Sequence, residues 1–562
     1  MKKLRWQLII IFLTGLVVGI LLLGEQPVVL PSGPEPAQGG QYAEGLIGSL
    51  TRLNPILDYY NPADRNIDRL IFSGLIKFDE RGVALSDLAE SWGISKDGTV
   101  YNFALRQNLK WHDGEPLTSD DVVYTIDLLR EGASVIPADL SEFWKDVDVK
   151  VLNETTLQFR LPEPFAPFLD FLAFGVLPRH VFGDLGVQDI ISSQYNLKPV
   201  GSGPFKFDHL IIENSQIAGI VLSASKEYYG KQPYIEQVVF RYYPDAASAY
   251  QAYQDGLVQG ISEVNADILK PVLADINLGV YTSRKPELNL VLLNLNNPQV
   301  PYFQVKEIRK ALLLGLNRQW MIDHLLNGQA FVANGPILPG SWAYYDQLPS
   351  VDYDPTQARQ LLKDAGYVIV GDQTPVRKKD NSVLNFTLIY PDNETFRRLA
   401  EELQKNWADL NIQVTIEPVP YAELINNRLD QRLYQAALVD LNMSGSPDPD
   451  PYPFWDQSQA TGGQNYSQWD NRSASEYLEQ ARITPDITER ARLYRNFQVV
   501  FDNELPSLPL FFPTYTYAVD RQLQGVSMGP LFDSSDRFVT ILNWFLVVSR
   551  PLQETVNPTT TQ

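Results

Sequence analysis

An α/β or mixed fold is what the sequence predicts, on two observations. Helix and strand signals alternate along the body. The helical stretches also open and close on capping residues. Thr118 with Asp121 reads as a capping box ahead of Val122–Leu129. Asp245 caps Ala246–Asp255, and Gly256 closes it. Glu307–Asn327 has apolar residues at helical spacing and ends at Gly328, with Gly315 weakening the pattern inside it. Asp354-Pro355 opens a further helix whose face is Ala358, Leu361, Leu362 and Ala365, and Gly366 ends it. β-branched and aromatic runs predict strands at Leu157–Leu161, Ile217–Leu222, Gln237–Tyr243, Leu288–Asn294, Phe386–Tyr390 and Gln413–Glu417. No fixed-period repeat interrupts this order.

The 562 residues correspond to roughly three to four units of ordinary domain size. Composition is that of a globular protein, 44% hydrophobic and 20% charged, which excludes wholesale disorder. The 28 Tyr, 26 Phe and 10 Trp supply core, and an excess of Tyr and Trp suits a ligand cleft. A net charge of −21 argues against nucleic acid as a partner, because phosphate neutralisation needs a basic surface. Cysteine is absent, so disulfides, thiolate metal sites and a cysteine nucleophile are excluded.

Lys2, Lys3 and Arg5 precede the apolar run Leu8–Leu23. No A-x-A cleavage site follows, and a lipoprotein cysteine is missing. Residues 1–25 are therefore expected to be an uncleaved transmembrane helix in preference to a cleaved signal; in both cases the basic end stays inside and the bulk of the chain lies on the extracytoplasmic side. Residues 26–41, rich in Pro and Gly, read as a flexible tether, and 550–562 as a disordered tail.

The motifs for catalysis are weak. The four histidines, His112, His180, His209 and His324, are scattered, without metal-ligand spacing. Ser223-Ala224-Ser225-Lys226 matches S-x-x-K, but the serine ends a strand-like run instead of opening a helix, and no K-T-G follows. No enzyme activity, catalytic residue, metal or cofactor is expected. Two long aperiodic stretches, Asn334–Tyr353 and Asn442–Asn471, are rich in aromatic or acidic residues and are read as ligand-facing.

Five stretches, in order, resemble the solute-binding family 5 proteins of peptide- and nickel-importing ABC transporters. The first runs from Leu88-Ala89-Glu90-Ser91-Trp92 through Trp111-His112-Asp113-Gly114 to Thr118–Val122. The second is Pro199-Val200-Gly201-Ser202-Gly203-Pro204-Phe205, and the third Glu227-Tyr228-Tyr229-Gly230 into Phe240–Asp245. The fourth is Val305 through Asn317-Arg318, and the fifth Asp448-Pro449-Asp450-Pro451 followed by Gly463–Tyr466. The resemblance implies a two-lobed periplasmic-binding-protein-like clamshell with an inserted small α/β domain. The expected partition is a split lobe I at 42–75, 200–284 and 512–549, an inserted domain at 76–199, and lobe II at 285–511. It implies closure by a hinge and a ligand held between the lobes, with peptides gripped by their main chain as an added strand.

The candidate ligand-binding residues are Tyr60, Asn442, Asp448, Asp450, Trp455, Asn465 and Tyr466. The sequence departs from the family's pattern at one point. Gly445 or Ser446 stands where the resemblance implies an aspartate for the ligand's free amine; either Asp448 and Asp450 substitute for it, or the ligand lacks that amine. Expected partners are a peptide or other small solute, ABC permease subunits and the membrane; the chain itself is expected to be a monomer. The alternative is a membrane-anchored sensory or binding protein for a non-peptide ligand, an oligosaccharide or a chelated metal.

Overall fold

The computed structural model describes residues 36–371 and 375–547. The expected anchor at 1–25, the tether up to residue 35 and the tail at 550–562 lie outside them. Among the described residues no helix is long and apolar enough to cross a membrane.

Twelve strands form the main sheet: β1 (Gln41–Ile47), β2 (Phe205–Glu213), β3 (Gln216–Ala224), β4 (Gln237–Tyr243), β5 (Gly260–Ile261), β6 (Leu278–Arg284), β7 (Glu287–Leu293), β8 (Ala330–Val332), β9 (Asn385–Pro391), β10 (Gln413–Val419), β11 (Ala436–Asn442) and β12 (Ser507–Asp520). Their order is β10-β9-β11-β7-β12-β5-β1-β4-β3-β2, and β6 and β8 also pair with β12. The sheet is two half-sheets sharing one long strand. Residues 507–511 of β12 pair with β7, and residues 514–520 with β6. The chain crosses between the halves at the β6–β7 link and along β12.

Strand burial follows the sequence. Five consecutive residues of β1 are buried, as expected of a strand parallel to both β4 and β5 and covered on both faces. β7 alternates: Leu288, Leu290 and Leu292 join one core, and Val291 and Leu293 join the core on the other face. A separate four-stranded antiparallel sheet holds Ala89–Ile94, Val100–Leu105, Thr156–Arg160 and Asp148–Asn153.

The caps form as read. Asp354 accepts from the backbone N–H groups of Thr356 and Gln357, opening the helix Pro355–Asp364. Asp245 accepts from Ser248 N at 2.7 Å, and the Thr118–Asp121 capping box is present. The single helix expected over Glu307–Asn327 is instead two, Lys306–Leu314 and Arg318–Leu325. Gly315 ends the first, and the Asn317 side chain caps the second through Trp320 N at 3.1 Å. Ser223 lies within β3 and does not open a helix.

The Gly201-Ser202-Gly203 stretch is a close-packed turn ahead of β2. A Cβ on Gly201 or Gly203 would collide with the carbonyl oxygens of Ile71 and Leu70, at the end of the helix Pro62–Ile71. His112 fastens the same turn. Its Nδ1 accepts the N–H of Gly201 at 3.2 Å, and its Nε2 donates to the Gly203 carbonyl at 2.9 Å. That arrangement uses the neutral ring, and burial pushes the His112 pKa down to about 4. A depressed folded pKa contributes stability that is full above the unfolded value and is lost as pH falls from about 6.5 towards 4. The contribution amounts to about 3 kcal/mol. Urea unfolding at pH 7 and pH 4.5 is expected to show a smaller acid loss in His112→Gln than in the parent; equal losses would contradict this role.

Candidate functional site

Strand direction aims the two halves at each other. β5 runs antiparallel to the far end of β12, and β1 runs with β5, so both end pointing back along β12. β7 is antiparallel to the near end of β12, and β11 is antiparallel to β7, so β11 points forward along β12. The carboxyl ends of β1 and β11 therefore converge on the junction between the halves. In open α/β sheets that is where ligands bind.

Loops from both sides meet there. Gly445 N–H donates to the Phe532 carbonyl at 2.8 Å. Asp170, from the segment that follows the four-stranded sheet, accepts from Asp448 N at 2.6 Å and from the Ser446 hydroxyl. Burial, and then the charge of Asp448, pushes the Asp170 pKa up to about 7.

A cavity of about 200 Å³ lies against the carboxyl half of β11. Leu424, Ile425, Leu429 and Phe454 give it apolar walls; Tyr421, Asp440, Asn442 and Tyr466 supply the polar ones. Leu424–Leu429 is a π-helical turn, a rare conformation often found at functional sites. The adjoining edge of β11 is open. Met443 N–H donates to Pro286 O, and Asn294 N–H to Gln435 O, so odd-numbered residues of β11 face β7. Leu438, Asp440 and Asn442 direct their backbone groups to the other side. There β9 pairs only with Ala436 and Ala437. That ladder also takes up the Leu438 N–H; beyond it, the backbone groups of Asp440 and Asn442 have no backbone partner among the described residues.

The sequence-predicted residues divide into three groups. Asn442 and Tyr466 line the cavity. The Asn442 side chain also accepts from Ser444 N at 2.9 Å, and the Tyr466 hydroxyl donates to Asp430 at 3.1 Å. Tyr60, 70% exposed, stands on the loop that follows β1, across the junction. Asp448, Asp450, Trp455 and Asn465 are committed to internal partners. Asp448 is buried and accepts from Arg490 and from the Tyr494 hydroxyl, the latter at 3.1 Å. Asp450 accepts from Arg482 Nε at 3.1 Å, and burial pushes its pKa up to about 6. Trp455 is 2% exposed and packs edge-on against Phe501. Asn465 is fully buried, donates to the carbonyls of Asp456 and Trp469, and accepts from Trp469 N.

Sequence reasoning missed Tyr421, Asp440 and the π-turn. One signal was available: Asp440 interrupts the apolar run Ala436-Ala437-Leu438-Val439 just before its end, an unlikely place for a carboxylate without a role.

The family model described as bacterial extracellular solute-binding proteins, family 5 Middle, matches residues 85–465. The dipeptide-binding protein of Escherichia coli (strain K12) is 28% identical over 466 residues, which cover 79% of this chain and 84% of that protein. The oligopeptide-binding protein AppA of Bacillus subtilis (strain 168) is 28% identical over 522 residues, covering 92% of this chain and 93% of the relative. The structure of AppA in complex with a nonapeptide superposes with a TM-score of 0.63 at 25% identity, covering 92% of this chain and 100% of that one. HbpA2 from Haemophilus parasuis, at 21% identity and a TM-score of 0.78 over 91% of this chain and 100% of that one, shares the α/β fold of the periplasmic binding proteins. With the family model spanning more than half of its length, the chain belongs to the bacterial extracellular solute-binding proteins of family 5, binding proteins of transport whose body lies outside the cytoplasm, and not enzymes.

Proposed function

We propose that this protein captures peptides in the cleft between the two halves of its sheet and delivers them to the permease subunits of an ABC importer. The observation that carries the reading is the open edge of β11 beside an apolar cavity. An extended peptide pairs with such an edge through its main chain, and its alternate side chains enter the adjoining pocket. Main-chain pairing is indifferent to sequence, so selection is broad. The relatives whose names state dipeptide or oligopeptide binding support the same ligand class.

In this reading the lobes are 42–75 with 200–284 and 512–549, and 285–511, with 76–199 inserted. The β6–β7 link and residues 511–514 of β12 form the hinge, and their positions support the partition. Tyr60 faces the ligand from the first lobe, and Asn442 and Tyr466 from the second. Asp448 and Asp450 shape the loop between them through Arg490 and Arg482. Lys2, Lys3 and Arg5 ahead of Leu8–Leu23 support anchoring through residues 1–25, and the chain acts as a monomer.

Mass spectrometry of small molecules released from the purified full chain by mild denaturation tests the reading. Peptides of varied sequence are expected. Recovery of sugars or metal chelates in place of peptides would overturn it.

A further inference from the structure

The cavity at β11 has two chemically different faces. Val439 and Leu441 belong to the same apolar core as Leu424 and Leu429. On the opposite face of β11 stands Asp440, across from Asn289 of β7. Glu287 shares that face, across from Asn442, and is therefore the diagonal neighbour of Asp440. Neither carboxylate has a side-chain hydrogen bond among the described residues. Beside Glu287 stands Lys285, whose ammonium is bonded to a third carboxylate, Glu263, at 3.0 Å. Glu287 thus shares its lysine with Glu263, and Asp440, which lines the cavity, has no ion-pair partner among the described residues. The strain is visible in the groups around it. Burial raises the Glu287 pKa; Lys285 lowers it, and Asp440 adds to the rise. Burial likewise raises the hydroxyl of Tyr421, and the charges of Asp440 and then Glu287 add to it.

A strand added to the open edge of β11 would turn successive side chains to opposite faces. One would meet the apolar wall of Leu424, Ile425 and Phe454, and the next would meet Asp440 and Glu287. We propose that this corner of the cavity is a side-chain subsite for lysine or arginine, so that the protein selects peptides carrying a basic residue next to an apolar one. The inference rests on the peptide-binding reading and adds a specificity to it. An ammonium or guanidinium supplies the missing countercharge, and its alkyl stem lies along the Tyr421 ring. A chain of net charge −21 also steers cationic peptides towards itself.

The test uses the full chain and a random pentapeptide library, N-acetylated and C-amidated so that side chains are the only cations. Retained peptides are expected to be enriched in Lys plus Arg by at least about fivefold over the input. Glu287→Gln is expected to reduce the enrichment, and Asp440→Lys to invert it in favour of Asp and Glu. Retained peptides with the composition of the input would overturn the proposal, and this arm needs no variant to fold. Retention of a free-amine library but not of the acetylated one would also overturn it, by assigning the carboxylates to the peptide's terminus. Retention of neither library would instead sink the peptide-binding reading beneath it.

Discussion

Arg490→Met is expected to destabilise the protein by about 3–5 kcal/mol, because it leaves a buried carboxylate without its countercharge. Arg490 and Asp448 have side-chain exposures of 7% and 3%, so solvent cannot replace the lost partner. The damage spreads. Asp448 also accepts from Tyr494 and from Asp450 N, while its own N–H donates to Asp170. Without Arg490, Asp450 keeps Arg482, while Asp170 and Asp448 have no ion-pair partner among the described residues. Urea unfolding of the full chain measures the loss. Asp448→Asn is expected to cost less, since the amide oxygen still accepts from Arg490 and the amide N–H can donate to the Tyr494 hydroxyl, while Asp170 and Asp450 remain near the guanidinium. The double change Asp448→Asn with Arg490→Met should cost less than the sum of the two singles. The same geometry predicts that Asp448→Asn weakens a free peptide and its N-acetylated form equally, because this carboxylate acts on the loop and not on the ligand's amine.

Arg537→Met is the second large effect expected, again about 3–5 kcal/mol. Arg537 and Glu44 are both fully buried, with the guanidinium bonded to the carboxylate and to Asn66. Glu44 sits in the middle of β1 and also accepts from the hydroxyls of Tyr42 at 2.9 Å and Tyr517 at 2.8 Å. These bonds tie β1 to the far end of β12 and to the turn Ser534–Phe538. The two hydroxyls are too weak to hold an ionised carboxylate alone in the core. The double variant Glu44→Gln with Arg537→Met is expected to recover most of the loss, as measured by thermal unfolding. Full additivity of the two singles would contradict the pairing.

Much of this fold is legible residue by residue. Asp245, Asp354 and the Thr118–Asp121 box announce helices because a cap is a local bond between a side chain and nearby backbone N–H groups. The break at Gly315 was less legible. Apolar spacing persists through Leu316 and Met321 although the backbone restarts at Asn317. The cleft was legible only in part. Asn442–Asn471 looked ligand-facing from its aromatic and acidic content, yet Trp455 fills core and Asn465 satisfies loop backbone. A long irregular segment must find partners for its own polar groups, and its side chains serve that first. Asp440 and Glu287 come together only through the register of β7 with β11, which no local pattern encodes. The open edge likewise depends on where β9 stops pairing.

N-methyl scanning of one bound peptide tests whether the ligand pairs with that edge. A peptide identified from the purified protein is resynthesised with a single backbone N-methyl group at each position in turn, and calorimetry gives the affinity of each. Pairing with Asp440 and Asn442 on one side predicts a period of two: at alternate positions each methyl group removes a buried hydrogen bond and costs about 1–3 kcal/mol, while its neighbours cost far less. A uniform response, or losses confined to the peptide's ends, would contradict strand addition at β11.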